Sequence, residues 1–328
     1  MVIDENSLEV VTALQAITIA SALCEQIRKG LTGRESILKS DRSPVTVADY
    51  GSQAIICKLI KEKFPHDIIV AEEDSAELKK ANRSKGLDQV THYVNNFIQG
   101  ASSKEVCSWI DFSSQRITDR FWTLDPIDGT KGFLRGDQYA IALALIENGV
   151  VTLGFMACPN LYVDKNQPNG KRGCLFLAIS GKGSFQKEME GGDKRVLSVS
   201  RVGNPSEASF TESVESDHTD HLLHQHLAQK LNIKKPSLRM DSQAKYGIVA
   251  RGEATFYLRA PSSSEPDYRE NIWDHAAGSI IAEEAGGRVT DTLGQPLDFK
   301  SGIKMKKNHG IVVTNGLLHD IVLKALRM

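Results

Sequence analysis

Apolar residues recur at helical spacing near the start of the chain and collect in short runs further on. The first stripe predicts an amphipathic helix over residues 7–29, which ends at Gly30. A second helix is predicted over 47–63, because Pro65 follows and cannot continue it. The apolar run at 68–71 is typical of the end of a buried strand. The chain therefore begins with helices and enters a sheet.

The middle of the chain changes character twice. Residues 79–120 are polar, and we interpret them as a variable surface excursion with one helix near 87–98. β-rich runs separated by turn residues follow at 121–124, 139–147, 150–157 and 173–180. The Asn-Gly pair at 148–149 is a strong hairpin signal. This part of the chain predicts an antiparallel meander.

A charged, glycine-rich stretch at 188–195 is the candidate domain boundary, although a hairpin loop would have the same composition. We predict an α+β half over 1–192 and an α/β half over 193–328. In the second half, helices are predicted at 219–231, after Ser242 and at 274–285, and strands at 253–259 and 288–290.

Composition narrows the class of protein. The chain has 328 residues, 41% of them hydrophobic and 25% charged, as in a globular protein. Its formal net charge of −1 gives no basic excess to attract nucleic acid or a membrane surface. The apolar stretch 10–24 is too short to span a bilayer. Five cysteines without a CxxC pair and no early basic residues predict a cytoplasmic protein in a reducing compartment.

Residues 122–133 read WTLDPIDGTKGF and carry the first candidate chemistry. A strand that ends in a turn would explain Asp125 and Asp128 alone. Pro126, however, leaves neighbouring carbonyls such as that of Ile127 to face a ligand, and carboxylate and carbonyl oxygens suit Mg²⁺. If the segment after Gly129 is helical, its free N–H groups would add an anion site.

Two other motifs resemble this segment. A calcium loop of the EF-hand type starting at Asp125 needs Gly sixth and Glu twelfth, but Thr130 and Gly136 stand there. Phosphatases with an aspartyl nucleophile place their acids two apart in DxDGT, whereas here they are three apart. The calcium loop is excluded. The aspartyl nucleophile is disfavoured but stays open.

Three more acidic stretches have ordinary explanations when each is taken singly. Glu72 follows the strand at 68–71 and could be a solvated turn. Thr46 and Asp49 fit a helix-start pattern, and Asp274 could be the N-cap of the helix after it. Together, however, the acids lie at strand ends and helix starts, where ligands gather. Such a concentration of charge needs metal ions; its members are Glu72, Asp125, Asp128 and Asp274.

These stretches resemble the inositol monophosphatase superfamily of lithium-sensitive, magnesium-dependent phosphatases. VTVAD, AEED, DPIDGT and WDHAAGSIIAEEAGG occur in the family's order along nearly the whole chain. The resemblance implies an α+β fold layered α-β-α-β-α, with the active site between its two halves. The segments KSDRSPVTVADYGSQA, MACPNL, MDSQAKYG and YRENIWDHAAG are most similar to the branch that acts on 3′(2′),5′-bisphosphate nucleotides.

The resemblance also implies roles for individual residues. Two or three Mg²⁺ ions would be held by Glu72, Asp125, the carbonyl of Ile127, Asp128 and Asp274. Asp49 and Thr130 would orient and deprotonate the attacking water. The substrate would contact Gly129, Thr130, His218, Ser242, Lys245, Arg259 and Asp274. The branch usually has Lys where this chain has Asn271, a minor departure.

The implied reaction is hydrolysis of adenosine 3′,5′-bisphosphate (PAP) to AMP, and of the related sulfate donor PAPS to APS. Inositol phosphates or sugar bisphosphates are alternatives, because the metal core would be the same. A nucleotide sensor without catalysis is a third possibility, although it would not need every acid and Thr130. The GKG at 181–183 lacks the rest of a nucleotide-binding loop and predicts a strand turn.

Overall fold

The structure is a computed structural model that describes residues 4–30, 36–38, 44–80, 84–167, 170–214, 221–260 and 267–327. The α-helices are α1 (Leu8–Gly30), α2 (Val47–Lys63), α3 (Ser84–Asn95), α4 (Ser103–Ile110), α5 (Thr130–Arg135), α6 (His221–Lys230), α7 (Ala244–Ala250), α8 (Ala276–Glu284) and α9 (His319–Leu326). The strands are β1 (Ser36–Leu38), β2 (Pro44–Thr46), β3 (Ile68–Ala71), β4 (Arg120–Asp128), β5 (Ala140–Glu147), β6 (Val150–Tyr162), β7 (Arg172–Ile179), β8 (Gly183–Glu188), β9 (Arg195–Val196), β10 (Phe210–Glu212), β11 (Leu238–Arg239), β12 (Phe256–Arg259), β13 (Arg288–Thr290) and β14 (Ile311–Thr314).

Two large sheets organise the described part of the chain. The first runs β3-β4-β5-β6-β7-β8-β9, with a parallel β3–β4 pair and antiparallel pairs elsewhere. The second runs β11-β10-β12-β14-β13 and is mixed. Parallel β3–β4 pairing matters for function, because it brings two carboxyl strand ends to one edge.

Alternating side chains of β5 show how the layers form. Ile141, Leu143 and Leu145 join the core under α1 and α2, while Ala140 and Ala144 face the core shared with α7 and α8. The other face of that helix layer covers the second sheet, and α6 and α9 pack on the sheet's far side. The layered α-β-α-β-α prediction is confirmed.

Close packing fixes the central helix layer. A Cβ at Gly154 of β6 would lie 2.4 Å from Ile280 Cγ2, and one at Gly278 would lie 2.4 Å from Cδ2 of Tyr246. Such distances are not tolerated in a packed core. Glycines therefore let α8 approach both the first sheet and α7.

Several sequence predictions match the elements. The helix at 47–63 and the strand at 68–71 are confirmed. Asn148 and Gly149 take left-handed φ values of 54° and 84° and join β5 to β6 in the predicted hairpin. The segment 181–183 is a turn between β7 and β8, as predicted.

The interpretation of residues 79–120 as a surface excursion is wrong. The segment contains α3 and α4, whose residues Val90, Val94, Val106 and Ile110 are all buried in the core beside α2. Short amphipathic helices hide such a role, because most of their sequence is polar.

The stretch at 188–195 is a hairpin connection in this structure. It joins β8 to β9, and β9 pairs with β8 in the first sheet although it lies beyond residue 192. The division into 1–192 and 193–328 stays a prediction. The helix predicted at 274–285 is corrected: a 3₁₀ turn (Ile272–Asp274) precedes α8.

Helix α1 changes one prediction about membranes. It is 23 residues long, not the 15 residues of 10–24, and has a window of mean hydropathy 1.5. By length and composition it could cross a bilayer, but 56% of that window is buried inside the protein. A buried core helix explains the same pattern.

Candidate active site

Glu72 follows the end of β3, and Asp125 follows the part of β4 that pairs with β3. Ala71 and Leu124 are register partners, and the Glu72 N–H donates to the Leu124 carbonyl at 3.3 Å. Glu72 is exposed, whereas Asp125 is buried. The sheet therefore places the two predicted ligands at one edge, as parallel pairing requires.

A bulge in β4 arranges the DPID segment. The register with β5 shifts between Asp125 and Asp128, so the strand continues past the proline where a strand end was predicted. Asp125 Oδ1 accepts from the Ile127 N–H at 3.1 Å, and Ser52 Oγ donates to the Pro126 carbonyl at 3.0 Å. The bulge holds both aspartates beside the same edge.

Gly129 then turns the chain into α5. Its φ of 85° is left-handed, and a Cβ there would lie 3.2 Å from Ser242 Cβ. Ser242 is also left-handed, with φ 69°. The helical segment predicted after Gly129 is confirmed, although it has only six residues. Close approach of these two turns joins the first sheet to the segment before α7.

Asp49 and Thr130 meet beside this turn. Thr46 and Asp49 form the predicted capping box, in which Asp49 Oδ2 accepts from Thr46 N at 2.7 Å and from Thr46 Oγ1 at 2.6 Å. The other oxygen, Oδ1, lies 3.5 Å from Thr130 Oγ1. Thr130 Oγ1 also lies 3.2 Å from the Ile127 carbonyl. The helix-start role and the predicted pairing with Thr130 therefore coexist.

The acids around Asp125 are close enough to raise its pKa. Burial raises the pKa of Asp125 well above its usual range, and the charges of Glu72, Asp128, Asp274 and Asp49 raise it further. These five side chains are the acidic members of the predicted site. The fold brings them together from four separate stretches of sequence.

Asp128 faces cations as well as acids. Burial raises the pKa of its carboxyl, and Asp274 adds to the effect, while Lys245 and Arg259 oppose it. Its Oδ2 accepts from the Gln243 N–H at 2.6 Å. Asp128 thus connects the first sheet to the segment that carries Lys245.

Asp274 is not the N-cap of α8, as one interpretation predicted, but the last residue of the 3₁₀ turn before it. Its Oδ2 lies 3.2 Å from both the backbone nitrogen and the Nδ2 of Asn271. Burial raises the pKa of Asp274 and Glu270 adds to this, while His275 and Arg259 lower it. The carboxylate stays beside the acids of the first sheet.

Lys245 is buried close enough to Asp128 for the two charges to interact. Its Nζ donates to the carbonyls of Ser242 at 2.7 Å and Met240 at 3.2 Å, and lies 5.3 Å from the Tyr257 ring centroid. Burial lowers its pKa to about 8, although Asp128 opposes the shift. At neutral pH the Lys245 side chain is a buried ammonium group, which is suited to bind an anionic ligand.

Arg259 has a partner that sequence reasoning missed. Its Nε donates to Glu270 Oε1 at 2.7 Å. Burial would raise the pKa of Glu270, but Arg259 and His275 lower it to about 2. Ligand atoms of Glu270, Asp274 and His275 lie within 4.8 Å of one another. The segment YRENIWDHAAG contained all three, but only a packed structure shows that they meet.

Of the predicted substrate residues, those that lie around the acidic cluster are Gly129, Thr130, Ser242, Lys245, Arg259 and Asp274. His218 lies outside the described residues. The donor set of carboxylates and a carbonyl fits a hard divalent cation, because oxygen ligands are what Mg²⁺ prefers.

Comparison with known proteins gives consistent matches. The family model described as the inositol monophosphatase family matches residues 4–327. The 3′(2′),5′-bisphosphate nucleotidase of Oryza sativa is 44% identical, with 97% of this chain and 93% of that protein covered. The protein of the same name in Dictyostelium discoideum is 42% identical, with 96% of this chain and 95% of that protein covered.

Solved structures show a similar fold at low sequence identity. Thermotoga maritima IMPase has a TM-score of 0.64 at 22% identity, covering 97% of this chain and 96% of that one. The extragenic suppressor protein suhB from Bartonella henselae has a TM-score of 0.66 at 20% identity, with 98% and 99% covered. At such identities the likeness establishes the fold alone.

Proposed function

Because the chain belongs to the inositol monophosphatase family, we propose that it is a magnesium-dependent phosphatase that hydrolyses the 3′-phosphate of PAP to give AMP. One observation carries the proposal: an acidic cluster around the buried Asp125 stands beside Lys245 and Arg259. In such a site the carboxylates can bind metal cations, and Lys245 and Arg259 can bind a phosphate. PAPS would be a second substrate, giving APS.

The metal site would use oxygen ligands only. Two or three Mg²⁺ ions would supply Lewis-acid chemistry, lowering the pKa of water and stabilising the leaving oxygen. Their ligands would be Glu72, Asp125, the Ile127 carbonyl, Asp128 and Asp274. Burial and the neighbouring acids raise the pKa of Asp125, and a divalent cation bound there would offset the repulsion between these carboxylates.

Asp49 and Thr130 would handle the attacking water. The Thr130 hydroxyl lies within hydrogen-bonding distance of Asp49 Oδ1. Polarised by that carboxylate, the hydroxyl can form one hydrogen bond to the attacking water. The capping box fixes Asp49 Oδ2, so only Oδ1 remains oriented toward Thr130. We propose that this pair orients the water and accepts its proton.

Substrate selection would depend on the second sheet and α7. We propose that Lys245 and Arg259 bind the 5′-phosphate of the nucleotide, with Ser242 and His218 contacting the remainder. The relatives named 3′(2′),5′-bisphosphate nucleotidase support this choice of substrate. Phosphate contacts to the N–H groups of Gly129 and Thr130 belong to the same proposal.

The first experiment measures phosphate release from PAP with Mg²⁺, with EDTA, and with millimolar-range Li⁺, beside inositol 1-phosphate. We expect release from PAP only, loss with EDTA, recovery with excess Mg²⁺, and inhibition by Li⁺. Release mainly from inositol 1-phosphate would keep the metal core and reject the nucleotide pocket. Nucleotide binding without any release would favour a sensor.

Lys245 gives the first variant prediction. Lys245→Ala should raise KM for PAP roughly 10–100-fold, because a charged hydrogen bond to the 5′-phosphate is lost. KM for adenosine 3′-phosphate, which lacks that group, should change much less. Steady-state kinetics with both substrates provides the test, and equal effects would contradict the role.

The lowered pKa of Lys245 also predicts a pH dependence. The side chain loses its charge as pH rises through about 8, so kcat/KM for PAP should fall above that pH. Adenosine 3′-phosphate should show a smaller fall over the same range. The ratio of the two profiles, measured from pH 6.5 to 9.5, isolates Lys245 from groups that act on both substrates.

A further inference from the structure

Glu270 is a buried acid to which the proposed reaction gives no direct part. Its side chain is 9% exposed, and Arg259, its partner, is 16% exposed. Arg259 Nε lies 2.7 Å from Glu270 Oε1. We infer that Glu270 is a positioning residue that holds Arg259 for the 5′-phosphate, an inference that rests on the proposed function.

The second oxygen of Glu270 belongs to a buried chain of polar groups. It lies 3.3 Å from His275 Nε2, and His275 Nδ1 lies 2.8 Å from the Tyr246 hydroxyl. Among the described residues, neither Glu270 Oε2 nor His275 Nε2 has a hydrogen-bond partner, so each is the nearest polar contact recorded for the other. Arg259 therefore holds one carboxylate oxygen by a hydrogen bond, and the His275 ring lies against the other.

The ion pair with Glu270 also bears on the attraction between Arg259 and the acids of the proposed metal site. Arg259 acts on the charges of Asp128 and Asp274, both proposed metal ligands. Without Glu270 as its ion-pair partner, the Arg259 guanidinium would pair with those acids and would no longer bind the substrate's 5′-phosphate. A buried ion pair of good geometry keeps an arginine in one place. Arginine carries five N–H donors, and the bond through Nε to Glu270 uses one of them.

Glu270→Gln is the direct test, because it keeps the shape and removes the charge. We expect the ratio of kcat/KM for PAP to kcat/KM for adenosine 3′-phosphate to fall roughly tenfold or more. Glu253→Gln is the matched control: Glu253 pairs with Arg251 at 2.7 Å in another Arg–Glu pair of low exposure, to which the proposed reaction assigns no role. The control should leave the ratio unchanged.

A double-mutant cycle shows whether Glu270 acts through Arg259. Arg259→Ala should lower the same ratio at least as much, and adding Glu270→Gln to it should change the ratio little further. Fully additive losses would overturn the inference. So would equal losses on both substrates with a higher Mg²⁺ requirement, which would make Glu270 a member of the metal site.

Binding measurements separate this inference from the proposed reaction. Calorimetric titration with AMP and with adenosine needs no turnover. Glu270→Gln should weaken the binding of AMP and leave the binding of adenosine unchanged. If the wild-type protein releases no phosphate from PAP but shows this pattern, the reaction is wrong and the role of Glu270 stands. If Glu270→Gln does not fold, Glu270→Asp is the second variant, because it keeps the carboxylate on a side chain one methylene shorter. It should weaken the binding of AMP partially. An unchanged preference for AMP in the variant that folds would overturn the inference.

Discussion

Asp128→Asn is expected to lower kcat/KM for PAP by roughly 10³-fold or more while the fold stays intact. Asn keeps the shape of the side chain and an oxygen for the Gln243 N–H, which lies 2.6 Å from Asp128 Oδ2. It removes one of the charges that a divalent cation needs. Steady-state kinetics at saturating Mg²⁺ tests this, and near-normal turnover would contradict the assignment.

Asp128→Asn should also change the thermal stability of the metal-free protein, and the pKa shift of Asp128 gives the direction. The pKa of Asp128 is raised in the folded protein, so folding favours its protonated form and the ionised carboxylate destabilises the metal-free fold. Stability is lost as pH rises from the unfolded pKa through the folded one. Asp128→Asn should therefore melt at the same or a higher temperature than wild type at pH 7 without metal.

Added Mg²⁺ should reverse that order. A cation that binds only the folded state raises the melting temperature, and the variant should gain less from it. Asp193→Asn serves as the control, because Asp193 is exposed on the loop between β8 and β9. Thermal melts with and without Mg²⁺ provide the measurement. An equal Mg²⁺ effect in all three proteins would reject Asp128 as a ligand.

Asp49→Asn should lower kcat by about 10²–10⁴-fold, the range for loss of a general base. An amide that keeps its oxygen toward Thr46 must turn its NH₂ toward Thr130, which reverses the polarity at a contact of 3.5 Å. KM should change little, because no proposed substrate contact is removed. The measurement is kcat and KM for PAP at fixed Mg²⁺.

Thr46→Ala is the control that separates the capping role of Asp49 from its proposed role in catalysis. It removes the hydroxyl that caps α2 and contacts Asp49 Oδ2 at 2.6 Å, and should cost about 1 kcal/mol of stability. The Thr46 backbone N–H still holds Asp49, so most activity should remain. If Thr46→Ala and Asp49→Asn lose kcat equally, the role of Asp49 is structural.

Local sequence patterns predicted those elements whose signals are local. Helix α2 follows from a capping box and a proline, and the β5–β6 hairpin follows from the left-handed preference of Asn148 and Gly149. The helix predicted near 87–98 is present as α3, but its burial and the whole of α4 were missed, because burial on α2 depends on what covers Val90 and Val106 and not on their neighbours in sequence.

The acids could be named in advance because each lies at a strand end or a helix start, positions that local patterns reveal. Their grouping followed from resemblance and charge reasoning, and in the structure the neighbouring acids raise the pKa of Asp125. The catalytic, metal-binding and substrate-binding roles of individual residues stay predictions.

By itself, the sequence determined the elements with local signals, such as α2 and the β5–β6 hairpin, together with the acidic corner at DPIDGT and the family. Only the tertiary structure decided that Glu270 holds Arg259, that Ser242 meets Gly129, and that His275 reaches Tyr246. These pairs join segments that are distant in sequence or lie on different elements. Their contacts come from the packing of one sheet against a helix layer, which no local pattern of residues encodes.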